Sequence, residues 1–309
     1  CRAAPVEERL FMTHCNRIWL ALLCLWLAGC AGLPDNSEDG AMPGVPMTEL
    51  HSNGVATLTA PADLWDRIRR GFAMSDLSSA EVARQQARYL ERPESIQRMT
   101  ERSRRYLFHI VEQLELRDMP TELALLPYVE SAFDPQAVSS AKAAGLWQFI
   151  PSTGTLYNLN QDAWRDDRRN IVASTRAALD YLQELHDQFD DWQLALAAYN
   201  WGPGSVERAI KRNVAEGLGT AYTDLQMPRE TAQYVPRLQA LKNIIATPHA
   251  FGVALPGIDN HPFFDTVTIA KDMDVATAAR LAGISLEDFR ALNPAFKRPV
   301  ILAGGTAQI

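Results

Sequence analysis

From Pro61 to about Ala250 the apolar residues recur at three- and four-residue spacing, and no period-two alternation appears before about residue 262. That spacing gathers apolar side chains onto one helical face, so this part of the chain can only bury them by packing helix on helix. Asp63-Leu64-Trp65-Asp66-Arg67-Ile68 opens the first amphipathic segment. A more charged stretch runs from Ser79 past Arg92-Pro93 into Ile96–Leu116, with Leu107, Ile110, Val111 and Leu114 at helical spacing. Asn170 is placed to cap a long helix through Phe189, and Asp190 or Asp191 to cap Trp192–Tyr199. A last helix is expected to start near Glu230 and to kink at Pro236. The hydrophobic share of 47% in 309 residues suffices for a core of ordinary size.

All four cysteines, Cys1, Cys15, Cys24 and Cys30, lie in the first thirty residues, which excludes a disulfide framework or a cysteine metal site in the body. Met12-Thr-His-Cys-Asn-Arg17 precedes an apolar run from Ile18 to Ala28 that ends at Gly29-Cys30. A basic start, about a dozen apolar residues and small residues at the end describe a secretory signal. The run is shorter than the roughly 20 residues a membrane-spanning helix needs. Its tail, Leu27-Ala28-Gly29-Cys30, resembles a bacterial lipobox. That resemblance implies acylation of Cys30 and a lipid anchor to the membrane. Ala31 is not the aspartate associated with inner-membrane retention, so an outer-membrane lipoprotein facing the periplasm of a Gram-negative bacterium is expected. Residues 1–29 therefore read as upstream residues and signal peptide, with Met12 a candidate start. Residues 30–60, rich in Gly, Pro, Ser and acidic residues, read as a flexible tether.

A net charge of −7 argues against a nucleic-acid partner, which calls for a basic face. It also leaves any anionic polymer to be bound by shape and hydrogen bonds. His51, His109, His186, His249 and His261 are scattered without metal-ligand spacing, and neither a Gly-x-Ser-x-Gly elbow nor a phosphate-binding glycine loop is present. No metal and no cofactor are expected. The cluster Arg98, Arg102, Arg104 and Arg105 is read as a solvated helix face.

The candidate chemistry centres on Glu130, at the end of the apolar stretch Leu123-Ala-Leu-Leu-Pro-Tyr-Val-Glu130. Breaking a glycosidic bond requires protonation of the departing oxygen, and a glutamate does this once apolar neighbours raise its pKa toward the working pH. Leu125, Leu126, Tyr128 and Val129 are such neighbours, and Pro127 is expected to break or bend the helix just before the acid. A surface glutamate at a helix end is the plain alternative. Further along stand Gly145-Leu-Trp-Gln-Phe-Ile-Pro151-Ser-Thr153, Ala198-Tyr-Asn200 running into Gly202-Pro-Gly204, and Glu230-Thr231-Ala-Gln-Tyr234-Val235.

In this order, with Glu130-Ser131, those segments resemble the soluble-lytic-transglycosylase-like catalytic domain, which is related to goose-type lysozyme. The resemblance covers roughly residues 60–309. It implies a peptidoglycan lytic transglycosylase that cleaves the β-1,4 bond between N-acetylmuramic acid and N-acetylglucosamine and leaves 1,6-anhydromuramoyl ends. Glu130 would be the sole catalytic acid/base. Ser131 would support it, Gln148 would hydrogen-bond substrate, Tyr199 and Asn200 would line the site, and Tyr234 would bring its hydroxyl near Glu130 or the sugar. Trp147 replaces the methionine common at its position, and reads either as a sugar-stacking wall or as core. An ordinary glycosidase uses two carboxylates. The nearest second candidates here are Asp134, which reads as a turn cap, and the structural-looking Asp166-Asp167-Arg168-Arg169. The alternatives are a hydrolytic muramidase and a non-catalytic wall-binding scaffold. Peptidoglycan glycan strands are the expected partner, and the oligomeric state is left open.

After His249 a linker leads to the strand candidate Thr266-Val267-Thr268-Ile269, helices at Val275–Ala282 and Leu286–Leu292, then Asn293-Pro294 and a strand-like Thr306-Ala307-Gln308-Ile309. This resembles a LysM carbohydrate-binding module, with Met273-Asp274 where the usual Gly-Asp stands and a last strand that reads as cut short. The expected fold is mainly α. A helical region at 61–118 precedes a lysozyme-like catalytic domain at 119–250, and a linker with a small, truncated βααβ LysM-like module follows at 251–309.

Overall fold

The protein is described here by a computed structural model covering residues 62–304 and 307–309. The lipobox at Cys30 and the tether that follows it lie outside those residues. Among the described residues no helix is long and apolar enough to cross a membrane.

The expected helices are present, and side-chain caps set many of their starts. Asp63 caps α1 (Leu64–Arg70) and Ser79 caps α2 (Ala80–Leu90). α3 (Pro93–Ser103) and α4 (Leu107–Glu115) follow. The charged stretch from Ser79 into Ile96–Leu116 is thus divided among α2, α3 and α4. Ser103 is buried there, its hydroxyl bonded to Thr100 O and to the Tyr128 hydroxyl, both at 2.8 Å. A 3-10 turn (Thr121–Leu125) feeds α5 (Leu126–Glu130), in which Pro127 occupies the first turn. It begins this helix rather than breaking it, because a first-turn N–H has no intrahelical acceptor to lose.

α6 (Pro151–Leu156) precedes the long α7 (Ile171–Phe189), whose Asn170 cap accepts from Ala173 N at 2.8 Å. Of the two adjacent aspartates, Asp190 ends α7 in a left-handed conformation and Asp191 caps α8 (Trp192–Trp201) through Leu194 N at 2.7 Å. α9 (Pro203–Ala215) follows. The last helix of the body is divided into α10 (Arg229–Ala232) and α11 (Tyr234–Ala246), joined at Gln233. Pro236 therefore sits in the first turn of α11, where it causes no mid-helix kink.

One hydrophobic core runs through these helices, from Leu64 and Trp65 through Leu107 and Leu182 to Leu241 and Ile258. α7 packs on α8, and α2 lies across α11. A buried carboxylate ties the irregular segment after α1 into this core. Glu122 accepts from Ala73 N (3.0 Å) and Met74 N (2.9 Å) and pairs with Lys242 Nζ at 3.1 Å. Such a buried charge persists only when paired and hydrogen-bonded.

The C-terminal segment has its own small core of Val275, Ala278, Ala279, Phe289 and Ile301. β1 (Thr268–Ile269) and β4 (Ala307–Gln308) fall within the two expected strand segments and pair antiparallel with each other. A second antiparallel pair, β2 (Met273–Asp274) with β3 (Val300–Ile301), was not expected, since two-residue strands show no periodicity. α12 (Val275–Ala282) and α13 (Leu286–Leu292) lie between. Asp274 and Ser285 are their caps.

Candidate active site

Glu130 ends α5, half-buried, and its carboxyl is pushed up from 4.5 to about 7. Burial is the largest cause, because a low-dielectric surround penalises the charged form. The Tyr234 hydroxyl donates to Oε1 and opposes that rise, the charge of Glu230 adds to it, and Arg237 lowers it. Tyr234 itself is only 2% exposed and opens α11, so the division of the last helix at Gln233 is what brings this hydroxyl to the end of α5. Burial and the nearby Glu130 hold the Tyr234 phenol well above its ordinary value, so it stays a donor. Tyr199 is held up in the same way.

The chain leaves Glu130 through consecutive left-handed residues, Ala132 (φ 52°) and Phe133 (φ 56°), a conformation costing roughly 1–2 kcal/mol each. Phe133 is fully buried and edge-on to Tyr128 at 4.6 Å, which offsets that cost. The resulting reversal sets Ser131 against a second strained turn, Ala144–Phe149. Ser131 Oγ donates to Leu146 O at 3.0 Å and to Pro127 O at 3.1 Å. Gln148, left-handed at φ 49°, turns its amide nitrogen onto Gly145 O (2.8 Å) and Ala137 O (3.4 Å). The Tyr199 hydroxyl donates to Trp147 O at 2.8 Å. Thus Glu130, Ser131, Gln148, Tyr199 and Tyr234 are linked through two chain reversals. Asn200 stands one step out, accepting from Thr231 Oγ1 at 2.8 Å and so tying α8 to α10.

Several alternatives left open by the sequence are decided by these contacts. Trp147 is fully buried with its indole N–H on Thr175 Oγ1 at 3.1 Å, so it is core and not a sugar-stacking wall. Asp134 caps a turn through Gln136 N at 2.9 Å. Asp166 is locked onto Arg168 and Asp167 onto Arg165. Glu230, exposed on α10, is the carboxylate whose charge reaches Glu130, and sequence reasoning passed over it. Nothing in its local sequence marks it, since Gln233 separates its helix from the one that Tyr234 opens. Also missed was a run of tyrosine rings leading away from the acid, Tyr199 to Tyr181 at 5.4 Å and Tyr181 to Tyr157 at 5.1 Å. Cavities of about 260 and 370 Å³ lie at the junction with the C-terminal segment and contain none of the residues around Glu130. Among the described residues no group of three or more His, Cys, Asp or Glu is arranged to hold a metal.

The pattern of the transglycosylase SLT domain matches residues 109–218, which include the Glu130 turn, the Ala144–Phe149 turn and α8. Beyond the SLT segment, residues 263–309 match the LysM-like domain of the lytic transglycosylase MltD. Over 251 residues the chain is 42% identical to membrane-bound lytic murein transglycosylase D of Escherichia coli, covering 81% of this chain and 56% of that protein. It is 32% identical over 152 residues to membrane-bound lytic murein transglycosylase F 2 of Alkalilimnicola ehrlichii, with 46% and 33% covered. Against membrane-bound lytic murein transglycosylase C of Glaesserella parasuis it is 35% identical over 125 residues, with 35% and 34% covered. The chain thus spans little more than half the length of the Escherichia coli relative. The SLT match and the small strand–helix segment agree with the mainly helical, lysozyme-like fold and the LysM-like C-terminus expected from the sequence.

Proposed function

We propose that this protein is a peptidoglycan lytic transglycosylase, cutting between N-acetylmuramic acid and N-acetylglucosamine with Glu130 as its sole acid/base. The observation that carries the reading is a carboxyl raised to about 7 inside an SLT segment, with a phenol donating to one of its oxygens. Protonated near neutral pH, Glu130 delivers its proton to the glycosidic oxygen, and the C1–O bond breaks as electrons pass to that oxygen. The muramoyl N-acetyl oxygen supports C1 during departure. Glu130, now a carboxylate, takes the proton of the same sugar's C6 hydroxyl, whose oxygen closes on C1. Water is not consumed, and the proton count balances. In this scheme Tyr234 orients the acid, Ser131 and Tyr199 hold the surrounding turn, and Gln148 and Asn200 offer amide groups to the sugar.

Glu230 supports one competing reading, because a second carboxylate is what a hydrolytic muramidase requires. Digestion of purified sacculi followed by mass spectrometry separates the two. Anhydro ends are expected, with a loss of at least about a thousandfold in rate for Glu130→Gln and near-normal turnover for Glu230→Gln. Reducing ends, or undiminished cleavage by Glu130→Gln, would reject the proposal.

We also infer that 61–118 is an N-terminal helical region, that 119–250 is the catalytic domain and 251–309 a linker with a LysM-like module, and that Cys30 is lipidated at the outer membrane. The lipobox and the membrane-bound relatives support the anchor. Cys30→Ala is expected to move the protein from the membrane to the soluble fraction, and unchanged fractionation would remove the anchor from this account.

A further inference from the structure

The C-terminal module meets the helical body along a short backbone seam, and that seam continues inward to the turn beside Glu130. Lys297 N donates to Trp164 O at 2.8 Å and Asp166 N donates to Ala295 O at 2.9 Å, with Arg165 and Phe296 as antiparallel bridge partners. Lys297 Nζ adds a bond to Asp162 O at 2.6 Å, and Gln136 Nε2 reaches Pro294 O at 3.3 Å. Backbone pairing of this kind fixes register as well as contact.

Asp166 carries the attachment into the interior. Its two carboxylate oxygens accept from Arg168 Nε (2.9 Å) and Nη2 (2.8 Å), and the two residues are 6% and 8% exposed. Arg168 Nη1 donates to Lys142 O (2.7 Å) and Phe149 O (3.1 Å). Phe149 O also closes the Ala144–Phe149 turn by accepting from Ala144 N at 3.0 Å. Two glycines make room for this arginine. A Cβ on Gly145 would stand 2.0 Å from Arg168 O, and one on Gly154 2.9 Å from its Cδ. The turn in turn holds Ser131 through Leu146 O and Tyr199 through Trp147 O. The planar fork of an arginine suits the task, because it binds a carboxylate with one edge while its remaining donors span two carbonyls.

We propose that the module is a working part of the active site. Docked on Trp164–Asp166, it braces the buried Asp166–Arg168 pair, and that pair acts as a positioning element for the turn that places Ser131 and Tyr199 beside Glu130. The kinetic consequence rests on the transglycosylase reading, whereas the mechanical one does not.

Lys297→Pro removes one N–H of the seam at the surface. Arg168→Gln removes the link to the turn, and Arg168→Lys keeps the charge without the fork. In the full chain, amide exchange of residues 144–149 is expected to quicken about tenfold or more in Lys297→Pro and Arg168→Gln, with α7 amides unchanged. On sacculi, kcat is expected to fall about tenfold with KM within about twofold, and the alkaline limb of the rate profile to shift to lower pH as water reaches Glu130. Arg168→Lys should recover part of the loss. Unchanged exchange at 144–149 in folded variants would overturn the brace, as would acceleration of all amides together with a collapsed melting midpoint. A wild-type chain that cleaves nothing removes the proposed function, and the exchange measurement then still decides the brace.

Discussion

Glu130 and Tyr234 stand 104 positions apart in sequence and share a hydrogen bond in the fold. Burial disfavours ionisation of Glu130, so its pKa rises from 4.5 to about 7, worth about 3 kcal/mol before any discount for partial exposure. The sign follows: the native state loses this stability as pH climbs through the interval 4.5 to 7, and gains nothing below it. The same rise keeps the acid protonated near neutrality, which the proposed reaction needs in its first step. Tyr234 pulls the other way, since a donor to the carboxylate favours the charged form. Tyr234→Phe is therefore expected to move the alkaline limb of kcat/KM to higher pH, while the plateau falls about tenfold through loss of orientation. A limb displaced to lower pH would contradict this balance. The acid was legible in its apolar flank, but its pairing with Tyr234 came only through the family resemblance, because nothing local in sequence relates the two positions. Glu230 escaped notice for the opposite reason: an exposed glutamate opening a helix is what the helix dipole favours anyway.

At the scale of elements, local chemistry explains what could be read. Asn170, Asp191 and Ser285 each stand just before an apolar period and each caps the helix that follows. The prolines were read too simply. Pro127 and Pro236 were expected to bend helices, and both instead lie in first turns, a distinction that depends on where the preceding helix stops. The turns were least legible, since left-handed Ala132, Phe133 and Gln148 carry no glycine signal. Their conformations are imposed by distant contacts. Gly145 is the exception, combining φ 83° with the close approach of Arg168 O. Gly145→Ala therefore meets two penalties, an unfavourable backbone region and a steric overlap, and should destabilise the protein by roughly 2–5 kcal/mol. Denaturant titration reads this directly, and a cost below about 1 kcal/mol would mean the turn can open without loss. Activity should fall more than the folded fraction does, because the displaced turn carries the acceptors for Ser131 and Tyr199.

For the whole molecule, charge sets how substrate is met. A chain of net charge −7 offers no long-range attraction to the anionic polymer that the proposed reaction would take as substrate. Many of its cations are spent internally: Arg168 on Asp166, Lys242 on Glu122 and Asp76, Arg67 on Glu115. In the proposed scheme recognition is left to amides and backbone at the site, short-range groups insensitive to ionic strength. Composition alone made this much readable. It could not show that the cations near the junction, Lys297 and Arg165, serve backbone carbonyls and a neighbouring aspartate, because those contacts join segments more than a hundred residues apart or depend on the fold of a single loop. The consequence is measurable. Raising salt from about 50 to about 300 mM shortens the screening length from about 14 Å to about 6 Å. Long-range repulsion between protein and polymer weakens accordingly, so KM on purified sacculi should stay level or fall, with kcat unchanged. A several-fold rise in KM would instead reveal a cationic surface at work in binding, and would mean that shape and hydrogen bonding alone do not hold the glycan at Glu130.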